Sequence, residues 1–346
     1  MASTAEIAKA NTKRAKQEAF ARRGAAACAK LLGGEVVRVG FPGGRSRDSL
    51  RIHFADRSVI ATRRDHNARA TLEVAVLREL GNAGAPVPKI LATGHGWVIQ
   101  EDLGDQRLSQ VLDAATPKDV EVWLDRGLES LMQVQKAGRE AGLAEHVVVL
   151  GSKPEWRRRL VETPGRIGEQ LELPVPELRV DDLAQALHVE HPAFIKWDAR
   201  PGNAAAMADG RVGWFDWEHC GCRHPLDDVA WFLCDEFIGD APEAEARLLE
   251  RWLPHFADDK TLADAHRYLM TFGVFHMSVR LALILSHKGE DDWWDHAKCL
   301  GGDKIGVTAA AAQTICRRAA RWAAKVPDTQ PLAGWFEDTG ELIAGM

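Results

Sequence analysis

Three oxygen-bearing side chains, spaced closely in one β-rich stretch of the sequence, could support phosphoryl transfer. Asp198 is followed five residues later by Asn203, and Asp216 comes after a turn-forming stretch at 208–210. That turn predicts a hairpin, which would return Asp216 to the side of Asp198. Taken singly, Asp and Asn here would be ordinary turn residues. Together they provide what phosphoryl transfer requires, a group that orients and deprotonates a hydroxyl and hard oxygen ligands for Mg²⁺.

The residues around this set resemble the catalytic segment of the aminoglycoside phosphotransferase and choline kinase family, a branch of the protein-kinase-like superfamily. That family typically has His-Gly-Asp, Pro-Gly-Asn and Asp-Trp-Glu in this order, followed by a structural Asp. Here Lys-Trp-Asp stands at 196–198, Pro-Gly-Asn at 201–203 and Asp-Trp-Glu at 216–218, and Asp228 falls at the structural position. Lys and Trp therefore replace the family's His and Gly, which affects the support of the loop but leaves the base in place.

The resemblance implies a role for each polar residue of the segment. Asp198 would be the catalytic base, and Arg200 would contact the transferred phosphate. Asn203 and Asp216 would be the Mg²⁺ ligands, and ATP, with GTP as the alternative, would be the phosphate donor. The replacement of the family's His and Gly leaves open a second hypothesis, a non-catalytic nucleotide-binding pseudokinase that regulates a partner.

Two segments of the N-terminal half are candidates for nucleotide binding. Gly43, Gly44 and Ser46 lie in a glycine-rich turn between two predicted strands, where kinases carry the turn that covers the phosphates. Glycine lets the main chain approach a phosphate closely, and a serine hydroxyl can donate to its oxygens. The connector that contains Glu101 and Leu103 resembles the family's hinge, which implies main-chain contacts of these two residues to the nucleobase.

The end of the third predicted strand is expected to supply a cation, paired with a carboxylate on the following helix, that holds the α- and β-phosphates. Glu73 begins the pattern Glu-x-x-x-Leu-x-x-Leu on that helix and is the candidate acid. Thr62 occupies the place where Lys is expected, and two arginines follow. We favour Arg63 as the cation, with Arg64 second, because a guanidinium can bind phosphate through two hydrogen bonds.

The helical C-terminal half is expected to bind the acceptor, as it does in the related enzymes. His276 and Arg280 lie four residues apart in an apolar segment and thus on one helix face, where they could reach a substrate or form a core pair. The twelve tryptophans could form an aromatic cage for an ammonium group, although core packing is their ordinary role. The candidate acceptor contacts are Glu218, Asp227, His276, Arg280 and Asp295.

A different chemistry is suggested by a short segment rich in His and Cys. His219, Cys220, Cys222 and His224 carry imidazole and thiolate groups, which are zinc ligands. Structural zinc sites usually combine Cys-x-x-Cys with distant ligands, and this segment lacks that spacing. A zinc-dependent hydrolase is therefore a minor alternative.

The elements that must position this chemistry form a short β-rich part and a long helical part. A helix is predicted over residues 4–32, short antiparallel strands over 35–61 and at 97–100, and a helix between them at 68–80. This order predicts an α+β, two-lobed protein-kinase-like fold. Its predicted parts are an accessory helix (1–33), a nucleotide-binding N-lobe with a small antiparallel sheet (34–103) and a larger helical C-lobe with the catalytic loop and acceptor-binding helices (104–346).

Bulk composition argues against several other functions. The 346-residue chain has a net charge of −6, so it has no global basic field to hold a nucleic acid. Six cysteines without framework spacing predict reduced thiols in a cytoplasmic setting. The apolar segment 269–285 is shorter than a membrane span and predicts a buried core helix. The sequence therefore predicts an ATP-dependent kinase of a small hydroxylated molecule, either an aminoglycoside, an amino alcohol or a sugar, with no nucleic-acid or membrane partner.

Overall fold

The computed structural model, which describes residues 4–44, 47–64, 68–302 and 304–346, begins with a long helix packed on a small sheet. The helix α1 (Thr4–Leu32) follows the predicted bounds and ends before Gly33, whose φ of 71° suits the glycine that stops a helix. Its second half buries Cys28 in an apolar cluster with residues of the sheet, including Ile52 and Trp97. The predicted accessory helix is thus attached to the back of the sheet.

In the described residues, antiparallel strands form a five-stranded sheet in the order β1-β2-β3-β5-β4. Side chains alternate along β3, so that Val59 and Ala61 pack under α1 while Ile60 and Thr62 face the other side. The helix α2 follows β3, and the hinge-like connector follows β5. The bounds are β1 (Arg38–Gly40), β2 (Ser49–His53), β3 (Ser58–Arg63), α2 (Ala68–Asn82), β4 (Ile90–Gly94) and β5 (Trp97–Glu101).

The larger part of the chain is helical. Helix α4 begins after Thr116, whose hydroxyl accepts the Asp119 amide at 3.3 Å, and Pro117 occupies its first turn. The stretch 153–173, which the sequence predicts as one helix, forms two helices, since the chain turns at Glu162 and Pro164 follows. The helices are α3 (Leu108–Ala114), α4 (Pro117–Glu140), α5 (Pro154–Val161), α6 (Thr163–Leu171), α7 (Val180–Ala186), α8 (Leu226–Leu233), α9 (Pro242–Phe256), α10 (Leu262–Lys288), α11 (His296–Gly301), α12 (Ala309–Ala323) and α13 (Leu332–Ala344).

Helix α10 runs through the centre of the helical part and contacts α5, α6, α8, α9 and α12. Among the described helices it is the one long and apolar enough to cross a membrane, and 78% of its most apolar window is buried inside the protein. It therefore packs as the core helix that the apolar pattern predicts.

Two small antiparallel pairs interrupt the helices where the sequence predicts the catalytic stretch. Strand β6 (Ala193–Ile195) pairs with β9 (Gly221–Arg223), and β7 (Ala204–Ala206) pairs with β8 (Val212–Trp214). The predicted hairpin therefore joins β7 and β8. Asp198 and Asn203 lie between β6 and β7, and Asp216 lies just after β8.

Candidate functional site

A cleft of about 440 Å³ lies between the five-stranded sheet and the β7–β8 hairpin. One wall carries Ile60 and Thr62 of β3 and Glu73 of α2. The facing wall carries Asn203 and Asp216. The cleft has the volume of an ordinary small-molecule site.

A buried carboxylate holds the main chain of the loop that carries Asp198. Asp228 of α8 accepts the amide N–H groups of Lys196 at 2.9 Å and Trp197 at 2.8 Å, and the Gln135 side-chain amide donates to it at 2.9 Å. Burial raises the pKa of Asp228 to about 6, although these hydrogen bonds act in the opposite direction. Trp197 and Asp198 have φ angles of 53° and 50°, a conformation that costs L-residues roughly 1–2 kcal/mol. The bonds to Asp228 offset that strain.

Asn203 and Asp216 line the cleft, and Asp198 lies beside them, hydrogen-bonded to Asn203. The Asn203 side-chain amide donates to Oδ2 of Asp198 at 2.8 Å and to the Asp198 carbonyl at 3.0 Å. The Phe215 amide donates to the Asn203 carbonyl at 3.0 Å, which sets the neighbouring Asp216 beside Asn203. The hairpin thus brings the second acid back to the loop, as the spacing predicts.

The oxygen atoms of Asn203 and Asp216 fit a hard cation such as Mg²⁺. Because Nδ2 of Asn203 donates to Asp198, its Oδ1 atom remains an acceptor to which no described residue donates. The Asp216 side chain is 40% exposed and faces the cleft. No cluster of three or more His, Cys, Asp or Glu side chains suited to a metal occurs in the described ranges. Two protein oxygens, with water and phosphate in the other positions, are the usual ligand set for Mg²⁺.

A guanidinium lies near Asp216 in the cleft, and it belongs to Arg64. Its Nη2 atom is 2.9 Å from the buried Glu73 carboxylate and 4.0 Å from Asp216, and Nη1 is 3.6 Å from Glu218. Burial opposes the charge of Arg64, but the hydrogen bond to Glu73 and the nearby carboxylates raise its pKa. The candidate acid Glu73 is therefore paired, and its partner is the second of the two arginines considered.

The favoured cation, Arg63, lies on the opposite face of the sheet. Its Nη1 atom donates to the His95 carbonyl at 2.9 Å, and its guanidinium lies over the Trp97 ring, 6.0 Å from the centroid. Side chains alternate along a strand, so Ile60, Thr62 and Arg64 face the cleft and Arg63 does not. The prediction that Arg63 is the paired cation is wrong because it disregarded this alternation.

The far end of the cleft is lined by the connector after β5, including Glu101 and Leu103. The Glu101 amide donates to the Lys89 carbonyl at 2.9 Å, and its carboxylate accepts the Lys89 amide at 3.2 Å. The amide N–H and carbonyl of Leu103 have no hydrogen-bond partner in the described part of the chain. Leu103 therefore offers one donor and one acceptor to a ligand.

Two of the three candidates in the glycine-rich turn, Gly43 and Gly44, lie in the described residues. Gly43 lines the cleft with a φ of 76°, and Gly44 follows with a φ of 96°, so both have the conformation that glycine tolerates best. A Cβ atom on Gly43 would lie 3.0 Å from Nη2 of Arg107. Ser46, the third candidate of this turn, lies outside the described residues.

Sequence reasoning missed two arginines that line the cleft. Arg107 donates to the Gly202 carbonyl and lies over the Phe215 ring, 5.3 Å from the centroid, so it joins the glycine turn to both catalytic segments. Arg51 of β2 donates to Asp102 at 3.0 Å and so braces the connector. Both contacts link residues far apart in the sequence, so no local sequence pattern predicts them.

Arg200 is paired with a buried carboxylate. Its Nε atom donates to the buried Asp235 at 2.8 Å. Next to it, Arg280 donates to both carboxylate oxygens of Glu236, at 3.0 and 2.5 Å. Burial opposes ionisation of Glu236, but the charges of Arg280 and Arg200 lower its pKa. The Arg200–Asp235 pair therefore anchors the loop that carries Asp198, and a phosphate contact by Arg200 remains a prediction.

Three of the candidate acceptor contacts are enclosed in the core, which corrects the expectation that they touch a substrate. Asp227 is fully buried between Arg223 and the Tyr268 hydroxyl, which donates to it at 2.8 Å. Arg280 is 5% exposed and occupied by its ion pair. His276 is 4% exposed and packs on the Trp231 ring. They are candidates on sequence spacing alone, which does not reveal burial.

The other two candidate acceptor contacts are accessible. Glu218 lines the cleft beside Arg64, on the nucleotide side. Asp295 is exposed and accepts the Lys298 amide at 2.8 Å as the cap of α11. Their contact with an acceptor remains a prediction.

The alternative zinc site is not formed. Cys220, Cys222 and His224 are buried, and burial raises the pKa of the Cys220 thiol to about 12. His219 is exposed and lies 3.7 Å from Glu218. These side chains are not among any metal-holding cluster in the described residues. The hydrolase alternative therefore loses its basis.

Comparison with known proteins places the chain among phosphotransferases. The profile of the phosphotransferase enzyme family matches residues 38–265. None of the curated proteins compared with the sequence matches it. The chain is similar in structure to a choline/ethanolamine kinase family protein from Mesorhizobium loti, with 14% identity, a TM-score of 0.54 and coverage of 92% of this chain and 99% of the other.

Two further solved structures share the fold. One is the amicoumacin kinase hAmiN in complex with AMP-PNP, Ca²⁺ and Ami, with 15% identity, a TM-score of 0.52 and coverage of 82% of this chain and 93% of the other. The second is the macrolide 2'-phosphotransferase MphH from Brachybacterium faecium, with 14% identity, a TM-score of 0.52 and coverage of 84% and 97%. These similarities confirm the predicted kinase-like fold.

Proposed function

We propose that this chain, which belongs to the phosphotransferase enzyme family, transfers the γ-phosphoryl group of ATP to a hydroxyl group of a small molecule. The observation that carries the proposal is that Asn203 and Asp216 line the cleft beside Arg64, with Asp198 hydrogen-bonded to Asn203. Phosphoryl transfer depends mainly on positioning and on charge stabilisation, and these groups supply both.

Asp198 is the proposed base. Its Oδ2 atom is held by Asn203, while Oδ1 has no hydrogen-bond partner among the described residues. The acceptor hydroxyl gives its proton to Oδ1 as its oxygen forms the new bond to the γ-phosphorus, and the bond from that phosphorus to the bridging oxygen of ADP breaks. A positioned base of this kind contributes roughly 10²–10⁴ in rate.

The remaining groups bind and orient the nucleotide. Arg64, held by Glu73, is the proposed contact to the α- and β-phosphates, and the free main-chain groups of Leu103 are the proposed contacts to the nucleobase. Asn203 and Asp216 would hold Mg²⁺, which when bound would supply positive charge to the phosphate oxygens. ATP is the proposed donor and GTP the alternative, since main-chain contacts at the connector do not select the base by side-chain identity.

The proposal is tested by product formation over a panel of acceptors. The purified protein, with Mg²⁺ and either ATP or GTP, is incubated with aminoglycosides, amino alcohols and sugars, and phosphorylated products are identified by mass spectrometry. Wild type should phosphorylate at least one acceptor, and Asp198→Asn should lose that activity. Asp209→Asn changes an exposed carboxylate in the same hairpin and should remain active. Nucleotide binding without turnover, equal in wild type and Asp198→Asn, would favour the non-catalytic pseudokinase.

A further inference from the structure

Lys196, which replaces the family's His, is buried in an unusual set of partners. It is 0% exposed, and its Nζ atom donates to the Asp216 carbonyl at 3.1 Å and to the Asp198 carbonyl at 3.5 Å. The rings of Trp214 and Trp217 lie 5.8 and 5.3 Å from the ammonium. In the described part of the chain, no carboxylate pairs with it directly. Burying an ammonium group is costly unless it is paired or hydrogen-bonded, so these two hydrogen bonds are needed to keep it in place.

We infer that Lys196 is a positioning residue that ties the loop carrying Asp198, the proposed base, to the segment after β8 that carries Asp216, a proposed metal ligand. Its ammonium bridges the main-chain oxygens of Asp198 and Asp216, so one side chain fixes the separation of the two acids. This inference rests on the proposed function, in which the two residues act together.

The conformation of the two acids explains why such a tie is required. Asp198 and Asp216 have φ angles of 50° and 61°, and both lie outside regular strands. The Asp216 carbonyl has Lys196 as its donor, and no other described residue donates to it. Without the ammonium, this partly buried acceptor would lose the one donor that the described residues give it. The strained turn after β8 would then be free to move away from the loop.

Burial lowers the pKa of Lys196, and the charges of Asp198, Asp216 and Asp228 act in the opposite direction. The tie rests on geometry, because the Lys196 side chain reaches main-chain oxygens of both segments.

A matched pair of substitutions separates this role from ordinary core stability. Lys196→Met keeps an apolar chain but removes the donors and the charge. Lys288→Met is the control, because Lys288 is also buried, its Nζ atom donates to two main-chain carbonyls at 3.1 and 3.5 Å, and it lies 5.2 Å from the Trp293 ring. The two changes remove the same interactions at different places.

The first readout is amide hydrogen exchange in segments 196–204 and 213–218. Lys196→Met should accelerate exchange in both segments, including the Phe215 amide that bonds to Asn203, whereas Lys288→Met should leave both unchanged. The second readout is turnover. Lys196→Met should lower kcat roughly 10–100-fold with the KM for ATP within about threefold, because misplacement affects the reacting groups more than nucleotide binding.

Lys196→His provides a second variant if the Met variant does not fold. An imidazole can donate one N–H in this position, so protection should be lost in one of the two segments and partly kept in the other. Unchanged exchange in both segments, or unchanged kcat in a folded Lys196→Met variant, would overturn the inference. If wild type phosphorylates no acceptor, the proposed function fails, while the exchange data still decide whether Lys196 holds the two segments together.

Discussion

Replacing Arg64 by Met should remove most of the nucleotide-dependent turnover, whereas the same change at Arg63 should not. Arg64 lies in the cleft within 2.9 Å of Glu73, 3.6 Å of Glu218 and 4.0 Å of Asp216. Losing one preorganised positive group beside the transferring phosphates should lower kcat/KM for ATP roughly 10²–10³-fold. Arg63 donates to a carbonyl on the other face of the sheet, so Arg63→Met is the matched control and should stay within about threefold of wild type.

The same substitution should also lower stability by a separable amount. Glu73 has 6% of its side chain exposed and would lose its cation. Breaking a buried pair costs about 3–5 kcal/mol. Because 21% of the Arg64 side chain is exposed, solvent screening reduces the expected loss to about 2 kcal/mol. Adding Glu73→Gln should restore much of this free energy of unfolding, since it removes the unpaired carboxylate, without restoring turnover.

Steady-state kinetics with varied ATP and urea unfolding measure the two effects independently. Arg64→Lys should keep the charge and retain activity within about tenfold of wild type. An unchanged kcat/KM in Arg64→Met, or an equal loss of kcat/KM in Arg63→Met, would refute the assignment of Arg64 as the cation that binds the phosphates.

Four further substitutions, one of them a control, test other features of the structure. Asp227→Asn should lower the free energy of unfolding by about 3 kcal/mol, because Arg223 loses its buried partner. The KM for the acceptor should stay within about threefold of wild type. A changed KM at unchanged stability would show that Asp227 contacts the substrate. Burial, with a smaller effect of the nearby Arg280, lowers the pKa of His276 from 6.5 to about 3, so the unfolded chain binds a proton that the folded chain does not. The free energy of unfolding therefore falls as the pH drops below 6.5, by about 2 kcal/mol at pH 5. His276→Gln should remove this loss. Urea unfolding at pH 5 and pH 7.5 checks this, and an equal loss in the variant would contradict it. Gly138→Ala should destabilise the protein by about 1–3 kcal/mol, because its Cβ atom would lie 2.2 Å from the Phe194 ring. Gly165→Ala is the control, since no atom lies within 4 Å of its Cβ position, and it should be neutral or stabilising. Thermal unfolding measures both effects.

The part of the site that the sequence predicts well is the part built locally. Asp198 and Asn203 are five residues apart in one loop, and the hairpin turn fixes the return of Asp216. Hairpin geometry follows from turn residues, so a short stretch of sequence contains the necessary information. The choice of Arg64 over Arg63 is also local, because side chains alternate along β3 and Arg64 therefore lies on the same face as Ile60 and Thr62.

The rest of the site depends on contacts between residues distant in sequence. Arg200 pairs with Asp235 across 35 positions, and Arg280 pairs with Glu236 across 44. Such pairs require the packing angles of α8 and α10, which sequence periodicity does not specify. For the same reason the enclosure of Asp227 was not predictable from its place in a motif.

The fold was predictable where elements are long or strongly patterned. Helix α1 matches its predicted bounds, and β2, β3 and β5 appear where β-rich segments were recognised. Strand β4 and the helices α3, α11 and α13 were not predicted, because they are short or lie beyond the segments whose periodicity is clear. Tertiary packing, more than local preference, stabilises such elements.

A crystal structure of the protein with Mg²⁺ and AMP-PNP is the most direct test of the site. We expect nucleotide in the cleft, with its base at Leu103, and a metal ion about 2.1 Å from Oδ1 of Asn203 and from the Asp216 carboxylate. The γ-phosphate should face Oδ1 of Asp198. A nucleotide bound elsewhere, or a metal ion that contacts neither Asn203 nor Asp216, would contradict it.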